Sequence, residues 1–338
     1  MPRTLLAAAL ALAACKDAGT DDTAIPDDSG LPPVLSWSVA VADAPEGAFL
    51  AVWGLSEDDV WVVGGQPDAG VVLRGSGADW TPMDLPTGTP LLNWVHGTAA
   101  DDVWVAGIHG ALLHWDGAAW TDHSWPIEEA FWGIYARTPT DVMAVGGTSG
   151  FGGADGQLMH YEGTGWSPVT IPAEYADINN LFKVTHDGTD WWVVGLGGAA
   201  LRGPSPTALA AVPTGYAGDL VTVARPDGGG PVVVVGGRGT GVVLEPDGDG
   251  LAVTAEAFAG LNGVRVYPSG RSVVVGERGF SGLYDPDEDV LTEVPSLTDD
   301  VLHGTWGAAG GQMYAVGGNL FTSDDYFHGV ILTGPAPE

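Results

Sequence analysis

Seven times between Val63 and Gly317 the chain repeats a short apolar run that ends in glycine. The glycines are Gly64, Gly107, Gly146, Gly195, Gly236, Gly276 and Gly317, spaced 43, 39, 49, 41, 40 and 41 residues apart. A period near 40 residues means a structural unit that cannot bury its apolar face alone and stacks on copies of itself, as in propellers and other repeat arrays. The second copy shows the parts most plainly: Leu91 to Gly97, an Asp turn, Val103 to Gly107, a tight connection through His109-Gly110, Ala111 to Trp115, the turn Asp116-Gly117, and a last segment from Trp120. Four short strands divided by Gly and Asp turns make one antiparallel blade. The central runs, such as Asp59-Val60-Trp61-Val62-Val63-Gly64 and Asp190 to Gly195, are apolar throughout rather than alternating. That pattern suits a sheet covered on both faces by neighbouring blades.

The last copy lacks a fourth strand before the chain reaches Gly-Pro-Ala-Pro-Glu, and a candidate for it lies at the other end. Leu35-Ser36-Trp37-Ser38-Val39 matches the Trp-Thr or Trp-Ser openings of the fourth strands at Trp80, Trp120 and Trp166. Pairing Leu35 to Val41 with the last blade removes two open sheet edges and closes a ring. The expected fold is therefore all-β, a seven-bladed β-propeller of four-stranded antiparallel blades over residues 34–338, closed by an N-terminal strand in the last blade.

The phrase Trp-Gly-x-x-x-x-Asp-Val-Trp-x-Val-Gly over Trp53 to Gly64, followed by Gly-x-x-Trp over Gly77 to Trp80, resembles the propellers with Asp-box (sialidase-type) repeats and those of photosystem II assembly factors. The resemblance covers nearly the whole repeat region. The Asp-box proper is incomplete, since Asp116-Gly117-Ala118-Ala119-Trp120 and Glu162 to Trp166 keep only a turn and a Trp. Sialidase chemistry is not implied by what remains.

Ahead of the repeats, Arg3 precedes the apolar run Leu5 to Ala14 and then Cys15, the one cysteine of the chain. Ten apolar residues are too few to span a bilayer, and a basic start with a short apolar core is the pattern of an export signal. Leu12-Ala13-Ala14-Cys15 resembles the lipobox of bacterial lipoproteins, which implies a signal peptide over residues 1–14 and lipidation at Cys15. Residues 15–33, rich in Asp, Gly, Ser, Thr and Pro, read as an acidic tether without a packed core. The expectation is a bacterial cell-envelope lipoprotein, with the outer membrane favoured over the inner. With 43 acidic residues against 11 Lys and Arg, the formal charge is −32. Such a field repels nucleic acid and anionic membrane surfaces, so membrane contact is expected through the lipid alone, and the body is expected to be a monomer.

Residues that recur in every copy are scaffold. His114 and His160 share a repeat position with Arg74, Arg202, Glu245 and Tyr284, and Trp61, Trp104 and Trp192 share another. Site candidates are instead the residues that vary around the channel mouth. Two residues past the repeated glycines stand Gln66, His109, Thr148, Gly197, Arg238, Arg278 and Asn319, with Tyr326 and Phe327 in the loop beyond. Ligand binding is assigned to Gln66, His109, Arg238, Arg278, Asn319, Tyr326 and Phe327. Arg238 and Arg278, in adjacent blades, are expected to emerge side by side as two forks of fixed donors suited to a carboxylate. No nucleophile elbow, phosphate loop or zincin helix is present, and Asp247 to Gly250 and Asp285 to Asp289 lack calcium-loop spacing. Neither catalytic residue, metal nor cofactor is assigned. The reading is a binding scaffold for a protein, peptide or acidic glycan; the alternative is a glycoside hydrolase or lyase with its active site at the same mouth, since paired carboxylates are invisible in sequence.

Overall fold

The computed structural model describes residues 35–148, 153–320 and 327–337; Cys15 and Tyr326 lie outside them. The described residues form seven four-stranded antiparallel sheets arranged in a ring. Blades one to six take their strands in chain order: residues 48–82, 92–122, 130–168, 181–211, 220–257 and 261–293. The seventh is composite, with Leu302–Gly307 innermost, then Gln312–Asn319, His328–Pro335, and Ser38–Ala44 outermost.

The closing strand sits in the register its Trp predicts. Ser38 lies opposite Thr333, as Thr81 lies opposite Arg74 in blade one, so Trp37 takes the place of Trp80. Trp37 is buried, donates from Nε1 to Ser281 Oγ at 2.8 Å, and packs with Leu35 against Tyr267, Leu302 and Leu332 of the last two blades. The strand begins one residue after Trp37 and runs to Ala44, somewhat beyond the expected Val41.

Among the described residues the apolar packing is divided between the blades rather than gathered in one core. Seven apolar clusters lie between successive blades, from Trp61 with Val95 and Leu113 between blades one and two, round to Val52 with Trp306 and Ile331 between seven and one. Each second strand contributes to the clusters on both its sides, which is why Val60 to Val63 and Trp191 to Val194 are wholly apolar and buried. Neighbouring blades cover both faces of each sheet, as the unbroken apolar runs require.

The repeated glycines have a common cause. Every innermost strand carries a bulge at the same place, at Leu50, Asn93, Trp132, Phe182, Val221, Asn262 and His303. Two residues before each bulged residue a carbonyl is turned against the second strand. A Cβ on Gly64 would stand 2.0 Å from Ala48 O, one on Gly146 1.9 Å from Ala130 O, and one on Gly276 2.0 Å from Gly260 O. Gly195 and Gly276 are extended, with φ of −164° and −169°, so the requirement is for space. A bulge leaves its extra residue outside the ladder and re-aims its side chain. Here all seven bulged residues line one cavity at the centre of the ring.

Candidate functional site

The innermost strands build a channel in layers. The seven bulged residues form its upper layer, on the side of the connections between second and third strands, around a cavity of about 310 Å³. The next residue of each strand pairs with the residue before the repeated glycine: Ala51, Trp94, Gly133, Lys183, Thr222, Gly263 and Gly304. This layer is a waist where adjacent backbones meet; a Cβ on Gly133 would lie 2.9 Å from Lys183 Cα, and one on Gly304 3.2 Å from Ala51 Cα. Two further residues along, Trp53, His96, Tyr135, Arg265 and Trp306 line a lower cavity of about 390 Å³.

The lower cavity has an aromatic and cationic lining that the repeat pattern did not single out. The His96 and Tyr135 rings stack with centroids 4.1 Å apart, and Trp53 lies 5.6 Å from His96. Burial, reinforced by the positive charge of Arg225, lowers the His96 pKa to about 3, so the ring is neutral and its Nδ1 accepts from the Ala136 backbone at 3.2 Å. Arg225 donates to Tyr135 Oη at 2.9 Å and to Pro226 O at 2.8 Å. Arg265 donates to Gly307 O at 2.9 Å and pairs with Asp227. These residues were legible from the same repeat alignment applied one strand earlier, because they face the positions of Trp61, Trp104, Met143, Val273 and Tyr314 across the ladder.

The candidates of the upper face are distributed rather than gathered. Gln66 closes the second strand of blade one and donates from Nε2 to Pro45 O at 3.4 Å. His109 stands 3.6 Å from Glu128 in an exposed pair. Asn319 ends its strand opposite His328, and Phe327, half-buried, immediately precedes the third strand of that blade. Arg238, with its side chain 75 % exposed, is held by Asp219 at 2.6 Å and opens onto the upper channel cavity. Arg278 opens onto a different depression, a cleft of about 560 Å³ between the loops that flank blade six. Glu277 borders both cavities and accepts from the Gly239 and Gly260 backbones at 3.0 and 3.2 Å. The two arginines thus border different cavities, which share Glu277.

The Arg278 cleft has four properties of a site. Arg278 holds a left-handed backbone, φ 55°, where blade four uses Gly197 at φ 62°. Leu297 across the cleft is also left-handed, φ 68°, and 63 % exposed. Phe258 beside them is 97 % exposed. A non-glycine residue in this region costs about 1–2 kcal/mol, and no buried packing repays it for Leu297. Among the described residues the Arg278 guanidinium makes no hydrogen bond or ion pair, in a chain of charge −32.

The basic residues of the third strands each pair with an acid of the neighbouring second strand. Arg74, His114, His160 and Arg202 bind Asp59, Asp102, Asp141 and Asp190, the acids that open the second strands, at 2.6 to 2.7 Å. The copies that lack the Asp carry Glu245, Tyr284 and Thr333 in the third strand instead, so acid and base appear and vanish together. Glu245, whose pKa burial raises against the lowering hydrogen bond from Tyr284, lies outside all three cavities.

A scan against protein-family models and a search of curated proteins find no match. Among solved structures, YCF48 bound to D1 peptide is similar at 14% identity and a TM-score of 0.62, over 91% of this chain and 100% of that one. YCF48 from Cyanidioschyzon merolae is similar at 13% identity and 0.64, over 89% and 98%. The WD40 β-propeller domain of Doa1 is similar at 10% and 0.65, over 88% and 97%. At these identities the likeness is one of fold: the chain is a seven-bladed β-propeller with photosystem II assembly factor and WD40 propellers among its structural neighbours.

Proposed function

We propose that the protein is an exported, lipid-anchored binding scaffold that receives an acidic, partly apolar peptide segment of another protein in the Arg278 cleft. The observation that carries the reading is the unpaired Arg278 guanidinium, held in a left-handed conformation beside the exposed Phe258 and Leu297. An aromatic and an aliphatic anchor flanking an unpaired cation match a peptide that offers a carboxylate next to an apolar side chain. That a neighbour of the same fold is YCF48 bound to D1 peptide agrees with a peptide ligand. The lipobox at Cys15 and the acidic tether support anchorage at a bacterial envelope membrane, the outer one favoured, with the propeller as a monomer facing its partner and the net charge keeping nucleic acid away.

Screening immobilised peptides that vary acidic and apolar positions tests the site. A charge-assisted hydrogen bond contributes about 1.5–3 kcal/mol, so Arg278→Ala is expected to weaken the selected peptides at least about tenfold, and Phe258→Ser to weaken them as well. Unchanged binding in both variants refutes the cleft. Cys15→Ser is expected to move the protein from the membrane to the soluble fraction of a bacterial host; equal partitioning refutes the anchor.

A further inference from the structure

The waist of the channel is closed by two side chains. Five of its seven positions are Ala51, Gly133, Thr222, Gly263 and Gly304, which leave the axis open. Trp94 and Lys183 fill it. Lys183 crosses from blade four, donates from Nζ to Trp132 O at 2.8 Å, and sets its ammonium 4.3 Å from the centre of the Trp94 ring in blade two. The residue is 9 % exposed, and among the described residues no carboxylate pairs with it. Above it lie the apolar walls of the upper cavity, Leu50, Trp132, Phe182 and Val221. The titratable and charged groups facing that space are His303, Glu277 and Arg238, with His96 below the waist. Burial and the neighbouring Lys183 lower the His303 pKa to about 4, so that ring is neutral.

A lysine buried in a largely apolar cavity, with no carboxylate in ion-pairing contact among the described residues, is the arrangement in which an amine loses its proton and becomes a nucleophile. We infer that Lys183 is a carbonyl-capture site, its Nζ reacting in the upper cavity with a small apolar aldehyde or ketone to form an imine. The neutral amine attacks the carbonyl carbon, a C–N bond forms as the C=O π bond breaks, and the nitrogen's proton passes to oxygen. The resulting carbinolamine expels that oxygen as water, leaving C=N. No oxidant or reductant is needed and the step reverses in water. Desolvation lowers the Lys183 pKa to about 7, which supplies the neutral amine near neutral pH.

The test uses the intact chain, which holds two lysines, Lys16 and Lys183. It is incubated with benzaldehyde and sodium cyanoborohydride from pH 5.5 to 10.5, and each lysine is read separately by peptide mass spectrometry. The same chain in urea gives the ordinary amine for comparison. Lys183 is expected to be benzylated at pH 7 at least about tenfold faster in the folded than in the unfolded chain, because an ordinary amine of pKa about 10.4 is almost wholly protonated there. Its rate is expected to level off above a midpoint near pH 7, whereas Lys16 continues to climb. Lys183→Met, which keeps the waist filled, is expected to abolish that adduct and leave the label at Lys16. A lysine that merely plugs the channel gives a different result: no adduct in the folded protein, or a rate that rises through pH 10 as in urea. Either outcome overturns the inference.

Discussion

Replacing Lys183 by Met isolates what the buried ammonium costs the fold. Its folded pKa of about 7 lies well below the ordinary lysine value of about 10.4. Between those values the unfolded chain holds the extra proton, so stability rises with pH across that window; the full cost is present below pH 7 and is gone above about pH 10. At about 1.36 kcal/mol per pH unit the cost is bounded at about 4–5 kcal/mol. Methionine, one atom shorter, fills most of the same waist and carries no charge. Urea unfolding of both proteins is therefore expected to show the variant more stable by up to about 4–5 kcal/mol at pH 6, with the gap falling to about 1 kcal/mol at pH 9.5. A gap that does not change with pH, or a variant less stable at pH 6, refutes the picture of an uncompensated buried charge.

Other consequences follow from the ring. Gly64→Ala would place a methyl 2.0 Å from Ala48 O and is expected to cost about 1–3 kcal/mol in chemical unfolding, whereas Gly165→Ala, with nothing within 4 Å, is expected to be neutral or slightly stabilising. Removing residues through Ala44 uncovers His328–Pro335 as an open edge and deletes the buried Trp37; light scattering is expected to report aggregation of this truncation but not of one ending at residue 30. Arg278→Gly, relieving a left-handed φ of 55°, is expected to raise stability by about 1 kcal/mol while weakening peptide binding, a trade that separates strain kept for function from strain without purpose. Asp102→Asn removes the acid bonded by His114 and Thr98. Burial works to raise the pKa of Asp102, but those hydrogen bonds outweigh it and hold the pKa below the usual carboxylate value. The wild type is thus expected to lose stability relative to the variant as pH falls through the acid range, measured by thermal unfolding at pH 3 and 6.

The ring was legible because repetition multiplies a weak signal: a single Val-Val-Gly says little, but seven at a fixed period leave few folds. Trp37 announced the closing strand because its counterparts Trp80, Trp120 and Trp166 hold the same position in complete blades. The reason for the glycines was not legible, since the carbonyl that crowds each one belongs to a different strand. Arg238 and Arg278 hold equivalent repeat positions, yet that Arg238 is paired depends on Asp219, nineteen residues away in sequence and 2.6 Å away in space. Lys183 escaped notice for a related reason. Nothing in the run Leu-Phe-Lys-Val-Thr-His distinguishes a buried lysine from a solvated one, and its burial is created by Trp94 and Trp132, residues of two other blades.

The bulges separate two kinds of inheritance within one strand. The glycine and the carbonyl that fix the ring are the same in all seven copies, but the residues they push into the channel are leucine, asparagine, tryptophan, phenylalanine, valine, asparagine and histidine. A side chain outside the ladder can change without disturbing the pairing that aims it. The axis therefore behaves as seven interchangeable sockets on an unchanging frame, where an acid, an imidazole or a thiol introduced at Leu50 or Val221 would face the same small volume as His303 and stand one residue from the layer that contains Lys183. A fold of this kind can acquire a new ligand or a new reaction at its centre by single substitutions, while its rim goes on recognising whatever it recognised before.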